Sequence, residues 1–460
     1  MRSSLNEECG VFGVVGVDRA AYQINLGLHM LQHRGQDGAG IITVDEKNKY
    51  YKYKDFGLVS QIFDEHALNK LQGNNGIGHV RYATSGGNEI ENIQPFLFYK
   101  SNLSFSLCHN GNIVNSKQVK ARLESNGSIF QSNSDSEILA HLIMQNFTGN
   151  ILQAIKKSLH VLDGAFAFLI LYGDTIYACR DKYGIRPLSV GKLGDGYVLS
   201  SETAAFSLVG AEFIKDLASG EILEVTKQGI TKHMYAQNTQ NKICSLEYIY
   251  FARPDSNILG KNVHMMRKQT GIELAKEAKI EADIVIGVPD SSLSAALGYA
   301  KASKIPYDIG LVKHKYIGRT FIEPTQTLRE NAVKMKLSVI KEVVKEQRVV
   351  LVDDSIVRGT TSKKIVALLK EAGAKEIHVM IASPMMIGSC YYGIDIQEED
   401  LIASGKTVGE VRDYIQADSL HYLSLTGLKK VIGEDIYHGY FDKNYPTYLY
   451  EQEQRGRNEK

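Results

Sequence analysis

The chain carries no excess of either charge: 53 Lys and Arg stand against 52 Asp and Glu in 460 residues. A balance this even excludes the broad basic field that holds nucleic acid or an anionic membrane, and it leaves small charged substrates open. Long apolar runs are also missing. Hydrophobic residues make up 43% of the chain, yet no stretch is long enough to span a bilayer and no apolar h-region follows the first residues. Only five cysteines occur (Cys9, Cys108, Cys179, Cys244, Cys390), with no close pair, which argues against a disulfide framework and for a reducing cytoplasm. Tandem repeats and low-complexity segments are absent. What is present is length enough for two or three domains with substantial cores.

The first half is rich in short β-prone runs, at 11–17, 40–44, 166–172, 197–200 and 222–225, separated by turn residues. That pattern predicts sheets packed on one another with a few helices. Beyond about residue 255 strand and helix alternate, as in a parallel sheet. Segments 275–280, 294–302 and 363–372 read as helices, and 349–352 and 377–381 as strands. The polar stretch 226–242 marks the boundary between the two regimes.

Within the second half, the apolar run 349–352 delivers two adjacent carboxylates, Asp353 and Asp354, followed by Ser355, Arg358, Gly359, Thr360, Thr361 and Ser362 at the start of a helical pattern. An acidic pair at a strand end repels itself unless cations or hydroxyl donors answer it, and a small-residue loop at a helix N-terminus suits a phosphate dianion. Upstream, Val288-Pro289-Asp290-Ser291-Ser292 follows another apolar stretch, so it also sits at a strand end, where open α/β sheets place ligands. The two segments together resemble the type I phosphoribosyltransferases. That resemblance implies that Asp353 and Asp354 face the ribose hydroxyls of phosphoribosyl pyrophosphate (PRPP), directly or through magnesium. It further implies that the loop from Ser355 through Arg358, Gly359, Thr360 and Thr361 holds the 5-phosphate, and that Asp290, Ser291 and Ser292 hold the pyrophosphate.

At the other end, Cys9 opens C-G-V-F-G, a cysteine and glycine feeding an apolar strand. Four further segments follow: H-R-G-Q-D-G-A-G from His33, H-V-R-Y-A-T-S-G from His79, H-N-G-N from His109 and S-D-S-E from Ser134. In this order they resemble the N-terminal nucleophile (class II) glutamine amidotransferases. The resemblance implies that residues 1–8 are a propeptide whose removal frees the Cys9 amino group. A free α-amino group, with a pKa near ~8, can act as a base for the adjacent thiol, whereas a peptide nitrogen cannot. By the same resemblance, Asn110 and Gly111 are the oxyanion donors, Arg81 holds the glutamine carboxylate, Asp135 answers its ammonium and Thr84 completes that site. Arg34 and Asp37 are expected mainly to shape the loop near Cys9.

A glutaminase joined to a PRPP site in one chain resembles the glutamine-dependent PRPP amidotransferases. The implied architecture combines α+β and α/β. Residues 9–235 form an αββα sandwich of the N-terminal nucleophile hydrolase type, and residues 236–460 a parallel-sheet α/β phosphoribosyltransferase domain with a C-terminal helical extension. The implied reaction converts PRPP, glutamine and water to 5-phosphoribosylamine, glutamate and pyrophosphate, opening purine synthesis, with ammonia passing between sites through a dry channel. A basic segment from Lys313 through Tyr316 and Arg319 to Phe321, with Gly318 as hinge, is expected to close over PRPP. One Mg2+ per subunit, bound by Ser291, Asp353 and Asp354, purine nucleotide feedback inhibitors and a homo-oligomer (dimer or tetramer) are also implied. Residues 334–338 are the candidate for nucleotide contact.

Some members of that family hold a [4Fe–4S] cluster on four cysteines. Cys244 and Cys390 match two of those positions, but the stretch from Tyr437 to Thr447 places tyrosines where a C-x-x-C should stand. Two thiolates cannot hold a cubane that needs four, so no cluster is expected. Two other readings keep parts of this picture: a non-catalytic PRPP-sensing regulator, which predicts broken catalytic positions, and another class II amidotransferase, which lacks the acidic pair.

Overall fold

The computed structural model describes residues 9–82, 89–314, 337–394 and 396–449. Residues 1–8, Thr84, Tyr316, Gly318, Arg319, Phe321 and residues 334–336, all of which carry expectations from sequence, lie outside the described residues.

Two antiparallel sheets face each other in the first half. One has seven strands in the order Glu212–Asp216, Ser189–Leu193, Gly196–Ser200, Gly10–Val15, Asn75–Arg81, Gly38–Val44 and Tyr50–Phe56. The other has six, ordered Gly229–Met234, Glu221–Thr226, Thr175–Arg180, Gly164–Tyr172, Leu103–Ile113 and Phe96–Lys100. Alternate residues of the central strands, among them Val11, Val15, Ile77, Leu169 and Ile176, meet between the sheets in a core from which water is excluded. Helices Ala20–Met30 and Ala204–Val209 cover the outer face of the first sheet. Ser116–Ser125, Ser136–Asn146 and Ile151–Leu159 cover the other. This is the αββα order expected. The polar stretch read as a boundary contains a strand, Gly229–Met234, which pairs in register with Glu221–Thr226 at the sheet edge.

The second half is built on four parallel strands ordered Ile284–Gly287, Arg348–Asp353, Glu376–Ile381 and Ser419–Tyr422. Their β-branched and aliphatic side chains are buried on both faces, as a parallel sheet requires. Beyond the acidic pair the chain supplies the outer strand Ser419–Tyr422 together with helices Val408–Ile415, Leu425–Ile432 and Gly439–Asp442. A correction concerns the helix expected at 275–280, which runs instead over Val263–Glu277. Its buried face carries Arg267, Thr270, Gly271 and Glu273 beside Val263 and Leu274, so no apolar stripe betrays it. It crosses helix Leu293–Ser303 at Gly271 and Gly298, where an added Cβ would stand 1.9 Å from a carbonyl of the other helix.

Ile243–Cys244 pairs in parallel with Ile436–Tyr437 within the second half, and the Cys244 N–H donates to the Ile185 carbonyl of the first half at 3.1 Å, which ties the halves together. Beneath this lies a buried ionic knot. The Arg34 guanidinium binds Glu202 and Glu247, and Glu202 also accepts from the Ser256 hydroxyl at 2.7 Å and the Arg253 N–H at 2.9 Å. Among the described residues no helix is long and apolar enough to cross a membrane.

Candidate active sites

Cys9 leads into the central strand Gly10–Val15, and the Asn75–Arg81 strand beside it ends at Arg81, so antiparallel pairing of Gly10 with Val80 brings thiol and guanidinium to the same sheet end. The thiol lies 3.8 Å from the Tyr82 carbonyl. Arg81 is buried; desolvation lowers its pKa, and the neighbouring Cys9 and Asp37 oppose that. Cys9, Arg81, Gly111 and Asp135 line a common cavity with Gln94 and His109.

Asn110 and Gly111 come from the facing sheet, on the Leu103–Ile113 strand. Both polar atoms of the Asn110 amide are buried and lack a hydrogen-bond partner among the described residues. A buried unpaired amide is costly in a resting protein, and its N–H groups are free to meet a further acceptor. Gly111 takes φ +144°, and a Cβ there would lie 2.0 Å from the Ala165 carbonyl oxygen, so no other residue fits.

Asp135 precedes helix Ser136–Asn146 but does not cap it. Its Oδ2 instead accepts from the Ile113 N–H at 2.8 Å, tying it to the Asn110–Gly111 strand. Burial pushes this carboxyl up, but His109, 3.7 Å away, with the Ile113 N–H and the Ser136 hydroxyl, outweighs burial and holds it below its ordinary range. A carboxylate so held is matched to an ammonium.

Gln94 has no counterpart among the residues expected from sequence. Its Oε1 accepts from the His109 N–H at 2.7 Å and its Nε2 donates to the Ser136 hydroxyl at 3.2 Å, clamping the strand that carries Asn110 to the turn that carries Asp135. Arg34 belongs to the ionic knot, and an added Cβ at Gly35 would meet the Arg81 backbone at 2.6 Å, so this loop supports the Arg81 strand.

In the second half, strand pairing sets the two motifs side by side. The Ser292 hydroxyl donates to Asp353 Oδ1 at 2.9 Å, the Ser291 hydroxyl donates to Asp354 Oδ2, and Ser355 donates to Asp354 Oδ1 at 2.6 Å. Burial first, then the Asp354 charge, pushes the Asp353 carboxyl up; burial also raises Asp354. The hydroxyls satisfy lone pairs but supply no charge, so the pair is built for a cation. Among the described residues no group of three or more His, Cys, Asp or Glu forms a metal cage. Two carboxylates and a hydroxyl suit Mg2+, which keeps waters and takes other oxygens from substrate phosphates.

Gly359 adopts φ +70° ahead of helix Thr360–Glu371, setting Thr360 and Thr361 in its first turn. Arg358 turns away to Asp400, Nη2 to Oδ2 2.7 Å. Asp290 is exposed and paired with Lys313 at 2.8 Å. Arg267, buried close to Asp354, carries no signal in the sequence; its guanidinium donates to the Tyr248 and Ala252 carbonyls at 2.6 and 2.7 Å.

The positions compared with cluster ligands also converge. The Cys244 thiol lies 3.1 Å from the Tyr440 hydroxyl, Tyr437 and Tyr440 meet edge-on at 4.9 Å, and the Cys390 sulfur accepts from the Tyr392 N–H at 3.4 Å. Burial drives the Tyr437 and Tyr440 hydroxyls far above their ordinary pKa, so they stay neutral phenols. Two thiols and two neutral phenols do not fit a cubane.

An amidohydrolase-type cysteine site and a PRPP-type phosphate site in one chain define a glutamine-dependent phosphoribosyl transferase. Residues 79–207 match the glutamine amidotransferase domain model and residues 267–383 the phosphoribosyl transferase domain model. The chain is 51% identical to an amidophosphoribosyltransferase of Bacillus subtilis over 456 residues, 97% of this chain and 96% of that one. It is 49% identical to that of Staphylococcus aureus, over 98% and 93%. A solved B. subtilis glutamine PRPP amidotransferase, complexed with ADP and GMP, superposes with TM-score 0.91 at 50% identity, covering 96% of this chain and 98% of that one. The structure described as the allosteric regulatory enzyme of purine biosynthesis gives 0.92, at 50% identity, covering 96% and 97%. The chain belongs to the amidophosphoribosyltransferase family. It is a glutamine-dependent phosphoribosyltransferase of purine biosynthesis, making 5-phosphoribosylamine, glutamate and pyrophosphate from PRPP, glutamine and water. Neither the regulator nor another class II amidotransferase finds support among these relatives.

Proposed function

We propose that the reaction is divided between residues 9–235, which release ammonia from glutamine, and residues 236–460, which add it to the ribose carbon of PRPP. In the first half, Cys9 is the nucleophile once residues 1–8 are removed. Its thiolate attacks the amide carbon, Asn110 and the Gly111 N–H receive the charge on the tetrahedral oxygen, and ammonia leaves a glutamyl thioester that water clears. Arg81 and Thr84 hold the glutamine carboxylate end, and Asp135 the ammonium. The observation that carries this half is the buried, unpartnered Asn110 amide.

In the second half, Asp353, Asp354 and Ser291 would hold one Mg2+, which supplies charge neutralisation of the pyrophosphate. The loop from Ser355 through Arg358, Gly359, Thr360 and Thr361 receives the 5-phosphate against a helix N-terminus, and Asp290, Ser291 and Ser292 meet the pyrophosphate. Lys313 pairs with Asp290 and would meet the pyrophosphate, and Tyr316 and Arg319, outside the described residues, are assigned to PRPP by resemblance. One apolar cluster runs from Ala165 and Ile185 to Val350 and Val352 behind the acidic pair, which supports a dry passage that keeps ammonia unprotonated.

The neutral phenols of Tyr437 and Tyr440 support the absence of an iron–sulfur cluster; iron and sulfide in anaerobically purified protein would disprove it. Purine nucleotide inhibition extends to this chain what the ADP and GMP complex shows for its relative. A homo-oligomer in the cytoplasm is what the family resemblance implies, and among the described residues no disulfide joins the five cysteines. The deciding test is the pair Asp353→Asn and Asp354→Asn: phosphoribosylamine formation falls by roughly 10²-fold or more while basal glutamine hydrolysis persists. Loss of both activities together would refute the division of labour.

A further inference from the structure

Residues 391–393 of the second half press on the glutaminase where no substrate group is expected. The Tyr391 carbonyl accepts from the Asn112 side chain at 2.8 Å, and the Tyr392 carbonyl accepts from the fully buried Arg186 guanidinium. Gly393 adopts φ +106°, and a Cβ there would lie 3.0 Å from Arg186 Nη2 and 3.1 Å from the Gly111 carbonyl carbon. The segment is also gripped from behind. Tyr392 Oη lies 2.7 Å from Thr447 Oγ1 and accepts from the Thr447 N–H at 3.2 Å, while its ring meets Tyr437 edge-on at 4.8 Å. On its far side Gly111 is already against the Ala165 carbonyl. The Gly111 peptide is therefore held between two backbones, one from each half.

We propose that residues 391–393 are a positioning strut for the glutaminase, fixing the Gly111 carbonyl and Asn112 and, through the Gly111 backbone, the aim of the Gly111 N–H at the oxyanion. The inference rests on the reading of Gly111 as an oxyanion donor. Such donors act only when preorganised, and displacement by about 1 Å can cost 10²-fold in rate. The strut also has a path to the PRPP site. It follows the strand Glu376–Ile381, and the Ala382 N–H just beyond that strand donates to the Asp353 carbonyl at 2.8 Å.

The test compares glutamine hydrolysis with phosphoribosylamine formation from PRPP and added ammonium, which bypasses Cys9. In Gly393→Ala, kcat for glutamine hydrolysis falls roughly 10- to 100-fold with KM within about twofold, while the ammonium-driven rate is retained. Asn112→Ala, which removes one hydrogen bond, shows the same split at about 3- to 10-fold, and it decides the matter should Gly393→Ala not fold. Equal losses in both assays, or an unchanged glutamine kcat in the variants, overturns the strut. Cys9→Ala separates the underlying reading: retained glutamine hydrolysis there sinks the site assignment and the strut with it, whereas loss there beside unaltered strut variants sinks the strut alone.

Discussion

Ser292 and Asp353, 61 positions apart, share a hydrogen bond of 2.9 Å that seats the start of one helix on the end of a neighbouring strand. The bond joins the two PRPP motifs into one site ahead of any substrate. It also leaves the half-buried Asp353 and the buried Asp354 side by side with hydroxyls for partners, and this has a consequence for stability.

The Asp353 carboxyl is raised by burial and then by Asp354. An acid raised in the folded state contributes stability while protonated, and that contribution is lost as pH rises through the folded value. Without divalent cation or PRPP, stability therefore declines between about pH 4 and about pH 8, from the ordinary carboxyl value up to the raised one, and Asp353→Asn flattens the decline. Magnesium with PRPP restores the loss at the alkaline end. Thermal unfolding across that range checks this; an identical slope in Asp353→Asn would contradict it.

Asn110→Ala removes a side chain whose amide is buried without a partner. Removing an oxyanion donor lowers kcat for glutamine hydrolysis by roughly 10²- to 10³-fold, with little change in KM. Stability rises or stays level, since an unsatisfied group is lost. Steady-state kinetics beside a urea titration would show both.

Arg34→Ala removes the cation shared by Glu202 and Glu247, both fully buried, leaving His33 beside the first and Arg186 3.8 Å from the second. Burial pushes the Glu202 carboxyl up, while Arg34, with His33, holds it far below its ordinary range. Removing one partner from such a buried pair costs about 3–5 kcal/mol. Denaturant unfolding measures the loss, and a change under about 1 kcal/mol would show that the knot is dispensable.

Tyr440→Phe tests the junction of thiols and phenols. The Tyr440 hydroxyl accepts from the Leu246 N–H at 3.3 Å and lies 3.1 Å from the Cys244 thiol and 3.2 Å from the Ser245 hydroxyl. Its removal orphans a buried backbone donor and costs about 1–3 kcal/mol. A midpoint indistinguishable from the parent would refute the role.

Residues whose chemistry depends on their chain neighbours are legible in the amino-acid sequence: Asp353 and Asp354 after an apolar run, Cys9 at the head of a strand, Asn110 beside a glycine. Residues that act across long separations are not. Gln94 works through positions 15 and 42 residues away, and Arg34 through Glu247, 213 away. Helix Val263–Glu277 is half hidden because arginine, threonine and glycine occupy its inner face. The strand Ser419–Tyr422 escapes a pattern-based reading since only one of its four residues is fully buried and it carries no long apolar run.

The pairing of Ile243–Cys244 with Ile436–Tyr437 orders events during synthesis. A nascent polypeptide emerging from the ribosome has completed both glutaminase sheets long before residue 436 is translated, yet the Ile243–Cys244 segment that reaches the Ile185 carbonyl across the seam still lacks its pairing strand. An abortive fragment is thus left with an open seam, and ammonia freed by it would escape to water instead of reaching ribose.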